Sequence, residues 1–129
     1  MAIIICDIDD TLLRNGTQPI QHTIDWINER AKNYSIVLVT GRPESQRKAT
    51  IKALQAAHIK YNRLIMNPGS TADTAAYKKE VGKRLKASGR VAVAIDNNEK
   101  MRNAYASVGI KTENPSHLSD DMLKLNIKF

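Results

Sequence analysis

The sequence is poor in the residues that mark several classes of protein. Among its 129 residues is one cysteine, Cys6, so no disulfide can form within the chain. We therefore expect Cys6 to be a core residue and the protein to be located in the reducing cytoplasm. Aromatic residues make up 5% and do not alternate with the basic ones, which disfavours a base-stacking platform. His22, His58 and His117 share no metal-ligand spacing. No apolar run approaches the roughly 20 residues of a membrane span, and the apolar start at 2–8 lacks the flanks of a signal peptide, so we expect no membrane function.

Length and charge predict one basic domain. A chain of 129 residues has room for one hydrophobic core, so we expect a single domain over 1–129. Lys and Arg number 20 against 13 Asp and Glu, which gives a formal net charge of +7. This balance favours anionic partners such as phosphate esters and nucleic acid, although many of the lysines would only face solvent on helices.

Strands and helices are predicted to alternate along the chain. Apolar runs at 2–8, 35–40, 63–66, 91–96 and 110–112 predict five strands. The stretches between the strands predict four helices. The first runs from Ile20 to Ala31, the second has Pro43 near its first turn, the third covers 71–87, and the fourth has apolar residues from Met101 to Val108 and is capped by Gly109. A last turn is predicted around 119–123. This alternation predicts a doubly wound α/β fold with a five-stranded, mainly parallel sheet.

Polar residues follow three of these strands at their carboxyl ends. The segments are 7–11 after the first strand, 40–42 after the second and 96–97 after the fourth. Because ligands of doubly wound sheets bind at this edge, we expect the three segments to converge there.

Carboxylates at this edge need a positive partner. Asp7, Asp9 and Asp96 would repel one another, and hard oxygen ligands of this kind suit Mg²⁺ together with a phosphate. The hydroxyl of Thr40 and the backbone N–H of Gly41 can donate to phosphate oxygens. A lysine would complete the balance of charge.

Helical spacing selects one of two adjacent lysines for that role. Lys78, Val81 and Leu85 occupy positions i, i+3 and i+7 and therefore share one face of the helix, whereas Lys79 shares a polar face with Gly82 and two further lysines. We therefore expect Lys78 to face the apolar interior and Lys79 to face water.

Four segments, in order, resemble the signature motifs of the haloacid dehalogenase superfamily of phosphotransferases. DIDDT at 7–11 matches the DxDx[TV] motif, VTGR at 39–42 resembles the second motif, Lys78 in YKKEV the third, and AIDNN at 94–98 the fourth. The segment over 72–110 resembles the 3′-phosphatase domain of phage-type polynucleotide kinase/phosphatase. The resemblance covers nearly the whole chain and implies a Rossmann-like domain.

The resemblance implies a Mg²⁺-dependent phosphomonoesterase that acts on polynucleotide 3′-phosphate ends through an aspartyl-phosphate. It assigns Asp7 as the nucleophile and Asp9 as the general acid and base. It also implies that Asp7, the backbone carbonyl of Asp9, and Asp96 hold the Mg²⁺. The phosphate-binding residues that it implies are Thr40, Gly41, Arg42 and Lys78, and the supporting residues are Thr11, Asn97 and Glu99.

The chain departs from the family pattern in its fourth motif. Asn97 stands where a second acidic residue is usual, so we expect weaker Mg²⁺ affinity rather than lost activity. Glu99 either compensates for the missing charge or simply favours the start of its helix. Asp10 takes the variable place of the first motif and is left outside the catalytic set.

The spacing of the motifs leaves no room for a large cap over the site. Asn15-Gly16 predicts a hairpin turn, which is the only flap available, so the site would stay open to a polymer end. No GxxxxGK[ST] segment occurs, so a kinase that works with this chain would be a separate partner.

Three alternatives to this function differ in the residues that they require. A response-regulator receiver needs an Asp after its third strand, where this chain has Met66-Asn67. A phosphatase of free nucleotides or other small phosphate monoesters fits the same motifs and is the main alternative. A catalytically silent module that binds nucleic acid or acts as a scaffold fits Asn97 and the basic charge, but the intact Asp7 and Asp9 argue against it.

Overall fold

The computed structural model of the chain describes residues 1–69 and 73–123. In chain order, its main elements are β1 (Ile3–Cys6), β2 (Leu13–Arg14), β3 (Gln18–Pro19), α1 (Gln21–Arg30), β4 (Ser35–Pro43), α2 (Arg47–Ala56), β5 (Arg63–Asn67), α3 (Thr74–Ser88), β6 (Val91–Ile95), α4 (Glu99–Ala106) and β7 (Thr112–Glu113). Two single-turn 3-10 helices lie at Glu44–Gln46 and Pro115–His117.

Five of the strands form one parallel sheet in the order β5-β4-β1-β6-β7. The central strand β1 pairs with β4 through Ile4 and Ile36, and with β6 through Ile4 and Val93. The chain moves outward from β1 in both directions, so the carboxyl ends of β1, β4 and β6 lie side by side at the point where the strand order reverses. The predicted doubly wound α/β fold is confirmed.

Helices cover both faces of the sheet. Ile4 and Cys6 of β1 belong to a buried layer that includes Ile24 of α1, while Ile5 belongs to the opposite layer, with Val81 of α3. Each of these side chains contributes on the order of 1.5–3 kcal/mol to stability by leaving water. Burial also raises the pKa of the Cys6 thiol, so Cys6 is a core residue, as predicted.

The predicted hairpin is present between β1 and α1. Strands β2 and β3 pair antiparallel, and the N–H of Thr17 donates to the carbonyl of Arg14 across a turn. Asn15 and Gly16 occupy the centre of that turn with φ of 51° and 83°, the left-handed values that a type I′ turn requires. Within the described ranges no larger cap is inserted, so the domain is capless, with this hairpin as its flap.

Pro43 lies next to the first helical turn, as predicted, but it is also the last residue of β4: it is extended, pairs with Asn67 and directly precedes the 3-10 turn that leads into α2. One predicted strand boundary is wrong. The last strand begins at Thr112 and not at Ile110, because the N–H of Ile110 still bonds the carbonyl of Tyr105 at the end of α4. The predicted start of α3 at 71–73 falls partly on residues 71 and 72, outside the described residues.

The end of the described chain is held against α1. The predicted turn around 119–123 is present, with the N–H of Met122 donating to the carbonyl of Ser119. The buried Arg30 donates to the carbonyls of Ser119, Asp120 and Met122 and lies 4.4 Å from the ring centre of Trp26. In the part of the chain that the structure describes, no helix is both long and apolar enough to cross a membrane.

Gly82 is buried against Tyr105 of α4, and does not lie on the polar face that the helical spacing predicts. A Cβ at this position would stand 2.9 Å from Cδ1 of Tyr105 and 3.0 Å from Cδ1 of Ile110. We expect Gly82→Val to lower the free energy of unfolding by about 1–3 kcal/mol, because the buried ring and the sheet behind it leave little room to shift. Urea unfolding measures this, with Lys83→Val on the exposed side of α3 as the control; equal losses in the two variants would contradict the close packing.

Candidate active site

Buried polar side chains lie at the carboxyl edge of the sheet. Asp7 follows β1, Thr40 lies in β4, Asp96 follows β6, and Lys78 comes from the second turn of α3. Burial of so many polar groups is costly unless they satisfy one another, and it marks the region as a site and not as ordinary core.

Lys78 stands between two of the carboxylates. Its Nζ lies 2.9 Å from Oδ1 of Asp7 and 2.6 Å from Oδ2 of Asp96, and the residue is 3% exposed. Lys79 is exposed. Helical spacing therefore selected the inward-facing lysine correctly. One ammonium against two carboxylates leaves a net charge of −1 in a buried place, which favours a further positive group.

The pKa values reflect this balance of burial and charge. Burial, helped by Asp96, raises the pKa of Asp7 to about 6 despite the nearby ammonium. Burial alone would lower the pKa of Lys78, but the two carboxylates outweigh it and raise that pKa, so the lysine stays charged. The site thus holds a carboxylate whose negative charge is poorly solvated and is available to an electrophile.

Thr11 braces the loop after β1. Its hydroxyl donates to Oδ2 of Asp7 at 3.2 Å and accepts from the backbone N–H of Asn97 at 3.2 Å. The side chain is fully buried. Thr11 therefore fixes the orientation of the Asp7 carboxylate and ties the loop after β1 to the loop after β6.

The amide of Asn97 lies beside two of the three proposed Mg²⁺ ligands. When the side-chain amide of Asn97 is oriented so that its nitrogen faces hydrogen-bond acceptors, that nitrogen lies 3.1 Å from Oδ2 of Asp7 and 3.2 Å from the carbonyl oxygen of Asp9. The amide NH2 of Asn97 therefore donates to the Asp7 carboxylate and to the Asp9 carbonyl, and these two oxygens are ligands of the kind that a hard cation prefers. Among the described residues, no three His, Cys, Asp or Glu side chains are grouped as in a metal site.

The Asp96 carboxylate is engaged on both sides. Oδ2 receives Lys78, and Oδ1 accepts from the backbone N–H of Asn98 at 3.0 Å. The backbone carbonyl of Asp96 accepts a hydrogen bond from Arg102 at 2.9 Å. Asn98 also caps α4 by accepting from the N–H of Met101. Neither Asn98 nor Arg102 is among the site residues predicted from the sequence, although an Asn directly before a predicted helix is a capping signal.

Arg42 holds Asp9 and the flap together. Its guanidinium donates to the Asp9 carboxylate at 2.7 and 3.0 Å, to the hydroxyl of Thr50 at 3.1 Å and to the carbonyl of Gly16 at 3.3 Å. The hydrogen bonds to Asp9 raise the pKa of Arg42. The prediction that Arg42 binds phosphate stays a prediction; in the structure its guanidinium pairs with the Asp9 carboxylate. Nothing in the sequence singled out Thr50.

The phosphate-binding segment predicted at 40–42 lies within β4, where the pairing with β5 is irregular between Val39 and Pro43. The N–H of Arg42 donates to the hydroxyl of Thr40 at 3.1 Å. A Cβ on Gly41 would stand 2.9 Å from Cγ2 of Thr74, so only glycine allows the first residue of α3 to come this near. The hydrogen of the Thr40 hydroxyl remains able to donate to a ligand.

The remaining predicted residues lie at the margin of the site. Glu99 is the exposed first residue of α4, where its charge favours the helix N-terminus, and it makes no ion pair or hydrogen bond to another site residue in the described ranges. Asp10 is exposed and adopts φ of 59°. The three histidines are exposed and form no metal cluster among the described residues.

Comparison with solved structures shows the same fold in other proteins. One chain of a Pnkp1/Rnl/Hen1 RNA repair complex superimposes with a TM-score of 0.74 and 20% identity, over 88% of this chain and 42% of its own length. A second structure of a Pnkp1/Rnl/Hen1 complex gives the same score and identity over 45% of its chain. A haloacid dehalogenase-like hydrolase from Brucella suis 1330 is 23% identical over 92% of this chain and 38% of its own, with a TM-score of 0.38. This chain thus spans less than half the length of the solved chains that it resembles.

Comparison at the level of sequence families is more specific. No curated protein is significantly similar to the chain. The family model described as haloacid dehalogenase-like hydrolase matches residues 4–115, which include every motif noted above. The chain belongs to the haloacid dehalogenase-like hydrolase family.

Proposed function

We propose that the protein is a Mg²⁺-dependent phosphomonoesterase that works through an aspartyl-phosphate, with polynucleotide 3′-phosphate ends as its substrate. The observation that carries the proposal is the buried Asp7 carboxylate, held at the carboxyl end of β1 with Lys78 Nζ 2.9 Å from one oxygen and Thr11 on the other. A carboxylate fixed in this way is oriented as a nucleophile.

The reaction then consists of two displacements at phosphorus. An oxygen of Asp7 attacks phosphorus, the ester P–O bond breaks, and Asp9, which carries a proton when the substrate is bound, gives that proton to the leaving alkoxide. Asp9 next takes a proton from water, which attacks the aspartyl-phosphate and releases inorganic phosphate and free Asp7. Arg42 orients Asp9 for both steps, while Lys78 and Thr40 bind the oxygens of the transferring group.

The donor set also fits Mg²⁺. Asp7, the Asp9 carbonyl and Asp96 are the ligands that the family resemblance implies, and the Asn97 amide lies beside the first two. Bound Mg²⁺ would supply charge neutralisation for the phosphoryl group.

Asn97→Asp is expected to raise the affinity for Mg²⁺ about tenfold, because it places a full negative charge beside the Asp7 carboxylate and the Asp9 carbonyl. Titration calorimetry with Mg²⁺ measures this without substrate. Asn98→Asp is the matched control, since it adds the same negative charge at the next residue of the chain and keeps a side-chain oxygen that caps α4. Equal affinities in the two variants would show that Asn97 does not face the cation.

A polymer substrate is supported by the surroundings of the site. Arg14 on the flap, Lys48 in the first turn of α2 and Lys100 in the first turn of α4 are exposed and form no ion pair with any residue of the described ranges. All three elements begin at the carboxyl edge of the sheet. Unpaired cations around an open, capless site suit the backbone of a nucleic acid, and the structural likeness to a chain of an RNA repair complex agrees with this.

A panel of substrates tests the proposal. Purified protein with Mg²⁺ should release phosphate from a 3′-phosphorylated oligonucleotide faster than from a mononucleotide or p-nitrophenyl phosphate. Hydrolysis of the small esters alone would favour the phosphatase of free nucleotides or small phosphate monoesters. Binding of the oligonucleotide without any hydrolysis would favour the silent nucleic-acid-binding module.

A further inference from the structure

Thr50 is a fully buried polar residue near the start of α2. Threonine is a poorer helix former than alanine, and a hydroxyl enclosed in protein is costly unless it has a hydrogen-bond partner. The Thr50 hydroxyl accepts from Nη1 of Arg42 at 3.1 Å. The partner of this buried hydroxyl is therefore the side chain that pairs with Asp9.

Arg42 uses different parts of its guanidinium for Asp9 and for Thr50. Nε donates to Oδ2 of Asp9 at 3.0 Å, and Nη2 donates to Oδ1 at 2.7 Å, so the ion pair is bidentate. Nη1 lies outside that edge of the planar group, and it is this nitrogen that donates to Thr50. A planar group held on two sides has little freedom to rotate, so Thr50 helps to fix the plane in which Arg42 meets the carboxylate.

Asp9 needs such a support because it is exposed. Its side chain is 49% exposed, whereas that of Arg42 is 13% exposed and Thr50 is fully buried. A half-exposed carboxyl group can turn toward solvent, and an ion pair in contact with water does little to hold it unless the geometry of the pair is fixed. The contacts thus run from a buried anchor on α2, through Arg42, to the exposed Asp9.

We propose that Thr50 is a positioning residue: it holds the Arg42 guanidinium and, through it, directs the Asp9 carboxyl group at the leaving alkoxide. This inference rests on the proposed function and adds a residue that the reaction depends on. Thr50 touches neither the substrate nor a reacting atom. Its effect should therefore be confined to the protonation that Asp9 performs.

Thr50→Val removes the hydroxyl and keeps the shape of the side chain. The alkoxide of a 3′-phosphorylated oligonucleotide leaves with a proton from Asp9, whereas p-nitrophenolate is a stable anion that leaves without one. Because kcat/KM covers the reaction only up to the departure of this group, the second displacement, which both substrates share, does not enter. The variant should lower kcat/KM about tenfold for the oligonucleotide and by no more than about twofold for p-nitrophenyl phosphate.

Three further variants separate this role from a general loss of structure. Thr50→Ser keeps the hydroxyl and should restore the wild-type ratio of the two kcat/KM values. Thr50→Ala also lacks the hydroxyl and suits a helix better, so it takes the place of Thr50→Val if valine prevents folding. Thr23→Val removes a buried threonine hydroxyl that has no hydrogen-bond partner among the described residues, and it should leave the ratio unchanged. An unchanged ratio in the variant that lacks the Thr50 hydroxyl, or the same altered ratio in Thr50→Ser or Thr23→Val, would overturn the proposal.

The activity of the wild type tests the proposed function separately. If the wild type hydrolyses neither ester, the proposed function fails, and the hold of Thr50 on Arg42 is measured by NMR without substrate, from the exchange of the Arg42 Nε–H proton with water. Faster exchange in Thr50→Val than in the wild type and Thr50→Ser would support the positioning of Arg42 by Thr50. Equal exchange in all three proteins would overturn it.

Discussion

Asp7→Asn is expected to abolish phosphate release, with a loss of about 10³-fold or more in kcat, because an amide cannot form the covalent bond to phosphorus that the mechanism requires. The protein should stay folded, since asparagine has the same shape and still offers an oxygen to Thr11 or Lys78. Steady-state phosphate release together with a thermal melt measures both outcomes.

Asp10→Asn is the matched control for this change. Asp10 lies in the same loop, but it is exposed and adopts a left-handed φ of 59°, which asparagine tolerates as readily as aspartate. The phosphatase activity of the Asp10→Asn variant should equal that of the wild type. If Asp7→Asn kept substantial activity, or if Asp10→Asn lost as much, the assignment of Asp7 as the nucleophile would be wrong.

Lys78→Met is expected to cost both activity and stability. It leaves Asp7 and Asp96 buried without their shared cation, and breaking such a buried pair typically destabilises a protein by about 3–5 kcal/mol. Activity should fall as well, because the phosphoryl oxygens lose a charged partner. Urea unfolding at neutral pH gives the free energy of unfolding, and phosphate release gives the activity.

Lys79→Met controls for the loss of one positive charge from the same turn of α3. Lys79 faces solvent, so its replacement should change the free energy of unfolding by no more than about 0.5 kcal/mol. Comparable losses from both substitutions would mean that Lys78 does not neutralise the two carboxylates in solution.

Much of the site could be predicted from the sequence because it follows from periodicity and strand ends. The apolar runs located β1, β4 and β6, and parallel strands present their carboxyl ends at one edge, so Asp7, Thr40 and Asp96 had to converge. The choice of Lys78 over Lys79 depended only on the 3.6-residue repeat of a helix. These inferences use local patterns and one rule of topology.

The remaining features depend on contacts between elements that the sequence does not order. Gly82 was expected on a polar face because its neighbours are lysines, but the approach of α4 to α3 buries it. The pairing of Arg42 with Asp9 and Thr50 could not be predicted, because the sequence does not show that both lie within reach of its guanidinium.

The most direct test of the proposed mechanism is to trap the covalent intermediate. Wild-type protein is mixed with an oligonucleotide that carries a radiolabelled 3′-phosphate, quenched in acid within one turnover, digested and mapped. The mechanism predicts a hydroxylamine-sensitive label on the peptide that contains Asp7, and none on Asp7→Asn. Release of phosphate by the wild type without any label on that peptide, or equal labelling of Asp7→Asn, would contradict it.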